Sequence, residues 1–401
     1  MIGADAIVKC LEAEGVDYVF GYPGVAICPF YNSILESDIR TILIRTEQNA
    51  AHAASGLARV SGKVGVCAVT SGPGATNLLT GIATAFADSI PLVCITGQVN
   101  SELLGSDVFQ EADITGAAES FVKYSYLVKD AADIPQIFKE AFHLASTGRK
   151  GPVLIDVPID IQNAPVAKFK YPDEVNMRTY KPTVKGNMAQ IKKVVKELDK
   201  AKRPLICAGG GVLLSQAEGA LRAFAQKHQI PVVSTMMGIG AMPTEHPMYY
   251  GMVGNNGKPY ANRAMNESDL LLMVGARVAD RAVNQPDLIT ENKVLVHIDV
   301  DPAEIGKNVG PAIPLVGDAK HIFEDMDMET ETFSCDHGEW LQTLDNYRET
   351  MQPVRKPDPA YVDPAAFITQ LSQAMDEDAV YVADVGQNQI WSCGYHIVKQ
   401  G

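Results

Sequence analysis

Three loops near the N-terminus combine a titratable carboxylate with glycine-rich turns. They are Gly21-Tyr22-Pro23-Gly24, Arg45-Thr46-Glu47-Gln48-Asn49-Ala50-Ala51-His52-Ala53-Ala54 and Thr70-Ser71-Gly72-Pro73-Gly74-Ala75-Thr76-Asn77. Each follows a β-rich run and the last two open into helices, which is where open α/β sheets bind ligands. Taken alone, Glu47 reads as a dipole-favoured helix cap, and a Gly-Pro-Gly turn marks nothing specific. Further on, Arg277 and Arg281 follow another strand. Planar, permanently charged guanidinium groups suit a carboxylate ligand better than Lys does, although two arginines at a helix start are equally at home in solvent. The turn Gly209-Gly210-Gly211 is not GxGxxG, so it does not by itself mark a dinucleotide phosphate site. The absence of CxxC, HExxH and any His/Cys cluster argues against zinc.

The elements that must position these groups alternate in type. Apolar β-rich runs at Tyr18–Phe20, Thr41–Ile44, Gly65–Val69, Leu92–Ile95 and Val153–Val157 are separated by helical patterns, Ala50–Ser61 and Ala75–Phe86 among them. Strands apolar on both faces between helices predict an α/β fold of successive doubly wound parallel-sheet domains. A second set of strands is expected at Pro204–Ala208, Pro231–Ser234, Leu270–Val274 and Val294–Ile298, with helices at Trp340–Thr350 and Pro364–Met375 and a further strand at Ala379–Asp384. The boundaries predicted are a first domain at 1–162, a linker at 163–187, a central domain at 188–326, a linker at 327–363 and the start of a third domain at 364–401. A remnant of that size cannot bury a parallel-sheet core alone. The expectation is therefore a fragment, or a chain completed by another polypeptide.

Composition excludes several classes. A hydrophobic fraction of 46% with 20% charged residues is that of a soluble globular protein. A net charge of −14 with no Lys/Arg cluster argues against nucleic acid. The charge-free run Val64–Ala87 is interrupted by Ser71-Gly72-Pro73-Gly74, so it reads as strand, loop and helix rather than a membrane span. Charges at Asp5, Lys9 and Glu12 leave no signal peptide visible. The 7 cysteines lie mostly in apolar contexts and predict reduced, buried thiols in a cytoplasmic protein.

Order and spacing say more than any one loop. GYPG at 21–24, EQNAAHAASGLAR at 47–59, TSGPGATNLLTGIATAFADSIPLVCITGQV at 70–99 and DVFQEADITG at 107–116 resemble the pyrimidine-binding module of thiamine-diphosphate enzymes, closest to the acetolactate synthase branch, and the likeness continues through nearly the whole chain. The resemblance implies that Glu47 is the catalytic carboxylate that hydrogen-bonds the cofactor aminopyrimidine and favours the imino tautomer that removes the thiazolium C2 proton. A desolvated carboxylate shares a proton best. Glyoxylate carboligases of the same superfamily lack this Glu. The resemblance also implies thiamine-diphosphate contacts from Gly24, Pro73, Asn77, Gly386, Gln387 and Asn388, and a substrate channel lined by Phe109 and Gln110. The alternative for the last two is an ordinary surface loop.

Resemblance to the FAD-binding central domain implies flavin contacts from Arg149, Gly210, Gly211, Thr235, Met236, Met252, Gly254, Asn256, Gly257, Gly275, Arg277, Asp299 and Asp318, with Arg281 reaching both the flavin and the acceptor 2-ketoacid. FAD does no net redox work in this reaction. Three positions depart from the family: Val25 where Gly is usual, and Asn256 and Asn388 where His is common. Val25 adds bulk beside the pyrimidine, and Asn256 alters a flavin contact. The GDG segment expected to bring Mg²⁺ ligands to the diphosphate is absent; Gly317-Asp318-Ala319 is the nearest match and lies in the wrong domain. The implied activity is decarboxylation of pyruvate and its carboligation to pyruvate or 2-ketobutyrate, the first common step of branched-chain amino-acid biosynthesis. The implied assembly is a homodimer or tetramer with a small regulatory subunit possible. The isolated 401 residues are expected to be inactive, their Mg²⁺ ligands lying beyond Gly401. The alternatives are another thiamine-diphosphate carboligase, oxidase or decarboxylase, or a non-catalytic chain serving as an assembly partner.

Overall fold

The computed structural model describes residues 1–283, 289–330, 336–352 and 356–399. Two compact units divide the chain, Met1–Lys181 and Pro182–Gly401.

The first unit is built on six strands, β1 (Tyr18–Tyr22), β2 (Arg40–Leu43), β3 (Gly65–Val69), β4 (Leu92–Gln98), β5 (Tyr124–Leu127) and β6 (Pro152–Pro158). They form one parallel sheet in the order β2-β1-β3-β4-β6-β5. Every residue of β3, β4 and β6 is buried, as covering both faces of a parallel sheet requires. The helix Ile134–Ser146 shows how one face is closed. Ile134, Phe138, Ala141, Phe142 and Ala145 recur at helical spacing and are all buried, each large side chain contributing roughly 1.5–3 kcal/mol. Phe169, Tyr171, Met177 and Tyr180 pack against the same core.

Six more strands form the sheet of the second unit: β7 (Pro204–Ala208), β8 (Val232–Ser234), β9 (Tyr249–Met252), β10 (Leu270–Val274), β11 (Val294–Asp299) and β12 (Ile313–Val316). Their order is β12-β11-β10-β7-β8-β9, again all parallel. The chain fills one side from β7, then returns to fill the other from β10. That is the strand order of a dinucleotide-binding doubly wound sheet. The helix Gly338–Thr350 is held to this sheet by Trp340, whose indole N–H donates to the Pro204 carbonyl at 3.0 Å.

Several elements differ from expectation. The first-domain helix starts at Glu47 and not Ala50, because its first turn is polar and exposed. Strands β5, β9 and β12 lie outside the expected set: β5 and β9 carry no continuous apolar run, and Pro314 interrupts the short apolar run of β12. Residues Ala379–Asp384 form no strand: no neighbouring strand pairs with them among the described residues, and Val380 and Val382 lie exposed. Backbone hydrogen bonds make a strand only when a partner supplies them. Cys10, Cys67, Cys94 and Cys207 are buried, but Cys28 is exposed and Cys393 half-buried. Cys335 lies outside the described residues. No helix among the described residues is long and apolar enough to cross a membrane.

Candidate functional site

The first unit has its switch point between β1 and β3, the crevice where open parallel sheets take ligands. Glycine makes it narrow. A Cβ on Gly24 would stand 2.6 Å from the Thr70 side chain, and one on Gly74 would stand 2.7 Å from Thr70 Cγ2 and 3.4 Å from Glu47 Oε1. Gly72 turns the chain with φ +58°, and its missing Cβ leaves room for the backbone of Gln110. Glu47 enters the crevice from the first helical residue after the extended Thr46. Its Oε2 accepts a hydrogen bond from Asn77 Nδ2 at 3.0 Å, Asn77 lying one turn into the helix Pro73–Ala87. Thr70 Oγ1 is buried without a hydrogen-bond partner among the described residues. A buried hydroxyl in that state costs roughly 1–3 kcal/mol, so a crevice ligand offering a polar atom fits the residues present.

The second unit presents its glycines the same way at the β7/β10 switch. A Cβ on Gly209 would lie 2.2 Å from the Gly275 carbonyl oxygen, and one on Gly211 would lie 2.6 Å from Gly275 Cα. Gly275 itself has φ +56°. The Gly211 N–H donates to the Gly275 carbonyl at 2.9 Å, tying the two loops together. After β9, Gly254 (φ +105°) is gripped by Asn262, whose Oδ1 accepts from its N–H at 2.8 Å and whose Nδ2 donates to its carbonyl at 3.0 Å. The Asn255 N–H donates to the Arg281 carbonyl at 3.2 Å, so the loops after β9 and β10 meet. Backbone brought this close at a switch point is what a dinucleotide needs to approach.

Comparisons with known proteins agree with this geometry. Residues 1–117 match the family described as "Thiamine pyrophosphate enzyme, N-terminal TPP binding domain", and residues 191–326 match "Thiamine pyrophosphate enzyme, central domain". A probable acetolactate synthase large subunit from Methanocaldococcus jannaschii is 43% identical over 408 residues, spanning 100% of this chain and 69% of the relative. The acetolactate synthase large subunit of Haemophilus influenzae is 43% identical over 97% of this chain and 69% of its own length. That of Corynebacterium glutamicum is 43% identical over 98% of this chain and 64% of its own. The chain belongs to the acetolactate synthase large-subunit family.

In this family member the crevice unites Glu47, Gly24, Pro73, Asn77 and the Gln110 backbone. Glu47 is half-buried in its unit, while Val25 is 76% exposed. Phe109 is 86% exposed, and Gln110 has φ +60°. Of the flavin candidates, Gly210, Gly211, Thr235, Met236, Met252, Gly254, Asn256, Gly257, Gly275, Arg277, Asp299 and Asp318 all lie at or just after the carboxyl ends of the second sheet's strands. Asp318 Oδ1 accepts from the Lys320 N–H at 3.0 Å and so caps a helix, and Asp299 Oδ1 accepts from the Asp301 N–H at 2.9 Å. The Arg281 side chain is exposed, 4.0 Å from Asp280. Arg149 lies in the first unit, its Nε donating to Ser89 Oγ at 3.1 Å. Gly386 (φ +142°) precedes the helix Gln387–Tyr395, which carries Asn388.

Sequence reasoning missed Thr70, Asn262, Gln98 and Asp156. Thr70 lay inside a quoted motif, but its orphaned hydroxyl is visible only in three dimensions. Asp156 on β6 is buried, Oδ1 accepting from Thr96 Oγ1 at 2.7 Å and Oδ2 from Gln98 Nε2 at 2.9 Å. Burial pushes its carboxyl up to about 7, against the opposing pull of the Thr96 and Gln98 donors, with the nearby Asp113 charge adding to the rise. Between the unfolded value near 4 and that folded value, the folded protein holds a proton the unfolded chain has released. Asp156 therefore removes stability as pH rises through that window, at up to about 1.4 kcal/mol per pH unit. Denaturant titrations at pH 4.5, 5.5 and 6.5 should show Asp156→Asn gaining on the parent protein as pH rises. A constant difference between the two would contradict the raised value.

Proposed function

We propose that this chain is the catalytic polypeptide of an acetolactate synthase, acting on pyruvate with pyruvate or 2-ketobutyrate as acceptor. The observation that carries the reading is the Glu47 carboxylate beside the Gly24–Thr70–Gly74 crevice in a chain of this family. Bound thiamine diphosphate would supply the electron sink for decarboxylation and carbon–carbon bond formation. The chain's own contribution is positional and protic. Glu47, oriented by Asn77, holds or moves a proton at the aminopyrimidine edge, while Gly24, Pro73 and the glycine turns admit the ring. Gly386, Gln387 and Asn388 would meet the diphosphate. Phe109 and Gln110 would meet the 2-ketoacid.

FAD belongs to the same proposal, held by the loops after the second sheet's strands. The close backbone approach of Gly209 and Gly211 to Gly275 supports it. Mg²⁺ would neutralise the diphosphate. Among the described residues no group of three or more His, Cys, Asp or Glu side chains could hold a metal ion. A cytoplasmic homodimer or tetramer with a small regulatory subunit, and a boundary pattern of 1–162, 188–326 and 364–401, complete the reading.

The test is a product assay. The complete natural protein, supplied with thiamine diphosphate, Mg²⁺ and FAD, should convert pyruvate to 2-acetolactate, and to the hydroxybutyrate product when 2-ketobutyrate is added. Acetate or acetaldehyde as the sole product would replace this reading with an oxidase or a simple decarboxylase.

A further inference from the structure

We propose that Gln98, at the end of β4, and Asp156, on the neighbouring β6, are positioning residues that set 2-ketoacid affinity by fixing the loop that carries Phe109 and Gln110. This rests on the substrate reading of that loop. Both side chains are buried, on adjacent parallel strands where Thr96 and Asp156 stand opposite each other. One nitrogen of Gln98 does two jobs: Nε2 donates to Asp156 Oδ2 at 2.9 Å and to the Ala112 carbonyl at 2.9 Å. The other end is also used, since Oε1 accepts from the Val99 N–H at 2.9 Å. Both Asp156 oxygens accept, Oδ1 from Thr96 and Oδ2 from Gln98 Nε2, so the carboxyl turns the nitrogen end of the amide toward itself and thereby aims the second N–H at Ala112.

Ala112 is a pinning point because of its neighbours. On one side Asp113 caps the helix Ile114–Ala118 through the Gly116 N–H at 2.9 Å. On the other, Glu111 gathers the N–H groups of Gly105 and Val108, which hold its carboxyl below the ordinary value, Gly105 most strongly. Between these ties Gln110 takes a left-handed conformation and lays its backbone against Gly72 of the crevice turn. The route from Asp156 to the crevice is therefore Asp156, Gln98, Ala112, Gln110, Gly72. Neither Gln98 nor Asp156 needs to touch substrate or cofactor to act through it.

Gln98→Met keeps length and apolar bulk but removes the donor. In the complete holoenzyme it should raise KM for pyruvate roughly tenfold, the size expected when a substrate-positioning contact loosens, with kcat and thiamine-diphosphate Kd within about twofold. Amide hydrogen exchange across 104–113 should accelerate at the same time. Asp156→Leu should act in the same direction. Asp156→Asn should restore KM to within about twofold of the parent, because its carboxamide can accept from Gln98 while donating to Thr96. Unchanged KM and unchanged loop exchange in Gln98→Met would overturn the proposal. So would a Gln98→Met protein without the parent's circular dichroism, which would make Gln98 a folding residue. If the parent protein turns over no pyruvate, the function assigned above fails, and the exchange experiment still decides whether the loop is pinned as described.

Discussion

Glu47→Gln should slow exchange of the thiazolium C2 proton on bound thiamine diphosphate by roughly 10²–10⁴-fold, the range that a well-placed general acid–base group supplies. The carboxamide matches the carboxylate in shape, and its oxygen can still accept from Asn77 Nδ2, the bond seen at 3.0 Å to Glu47 Oε2. The cradle of Gly24 and Gly74 is untouched, so cofactor affinity should change far less than exchange. What is lost is a group able to hold a negative charge and share a proton. Asn77→Ala should be milder, since it frees the carboxylate without removing it. NMR-detected deuterium exchange at C2, alongside cofactor binding measured by fluorescence quenching, separates the two effects. Exchange at the parental rate with the cofactor bound would remove Glu47 from its role.

The second large effect lies in the central sheet. Gly209→Ala should cost about 1–3 kcal/mol of stability or more, by analogy with overpacking elsewhere, and should deplete bound flavin. The reason is steric and local. A methyl at Gly209 would stand 2.2 Å from the Gly275 carbonyl oxygen and 2.6 Å from Ala276 Cα, backbone that cannot rotate away as a side chain would. The β7 and β10 loops would have to part at the point where the sheet opens to a dinucleotide. Gly219→Ala supplies the control. Gly219 lies within the helix Glu218–Lys227, and a Cβ there meets nothing within 4 Å, so this change should stabilise by roughly 0.5–1 kcal/mol. Thermal unfolding together with flavin absorbance retained through gel filtration distinguishes them. Equal flavin retention in the Gly209 variant and the parent would show that this approach is not part of a flavin site.

Much of the fold was legible because parallel strands covered on both faces must be apolar at every position. Gly65–Val69, Pro204–Ala208 and Leu270–Val274 are fully buried and were read directly from their composition. Edge strands escape that logic. Tyr124–Leu127 is exposed or half-buried throughout, and Ile313–Val316 alternates, so neither stands out from a loop. Ala379–Asp384 failed in the opposite direction: its alternating valines satisfy the pattern, but a strand is a relation between two segments and no partner lies beside it among the described residues.

The order of the GYPG, EQNA and TSGPGATN loops, the carboxylate at Glu47 and the alternation of strand and helix were determined by sequence alone, because each is a local property of composition and spacing. Tertiary structure decided the rest. Gln98 and Asp156 stand 58 residues apart and meet only because β4 and β6 are neighbours. Thr70 acquires an orphaned hydroxyl only once Gly24 and Gly74 close over it. The Asp156 carboxyl rises toward neutrality only once the sheet has taken its water away. Burial and partner identity depend on how distant segments pair, and no window of sequence contains that information.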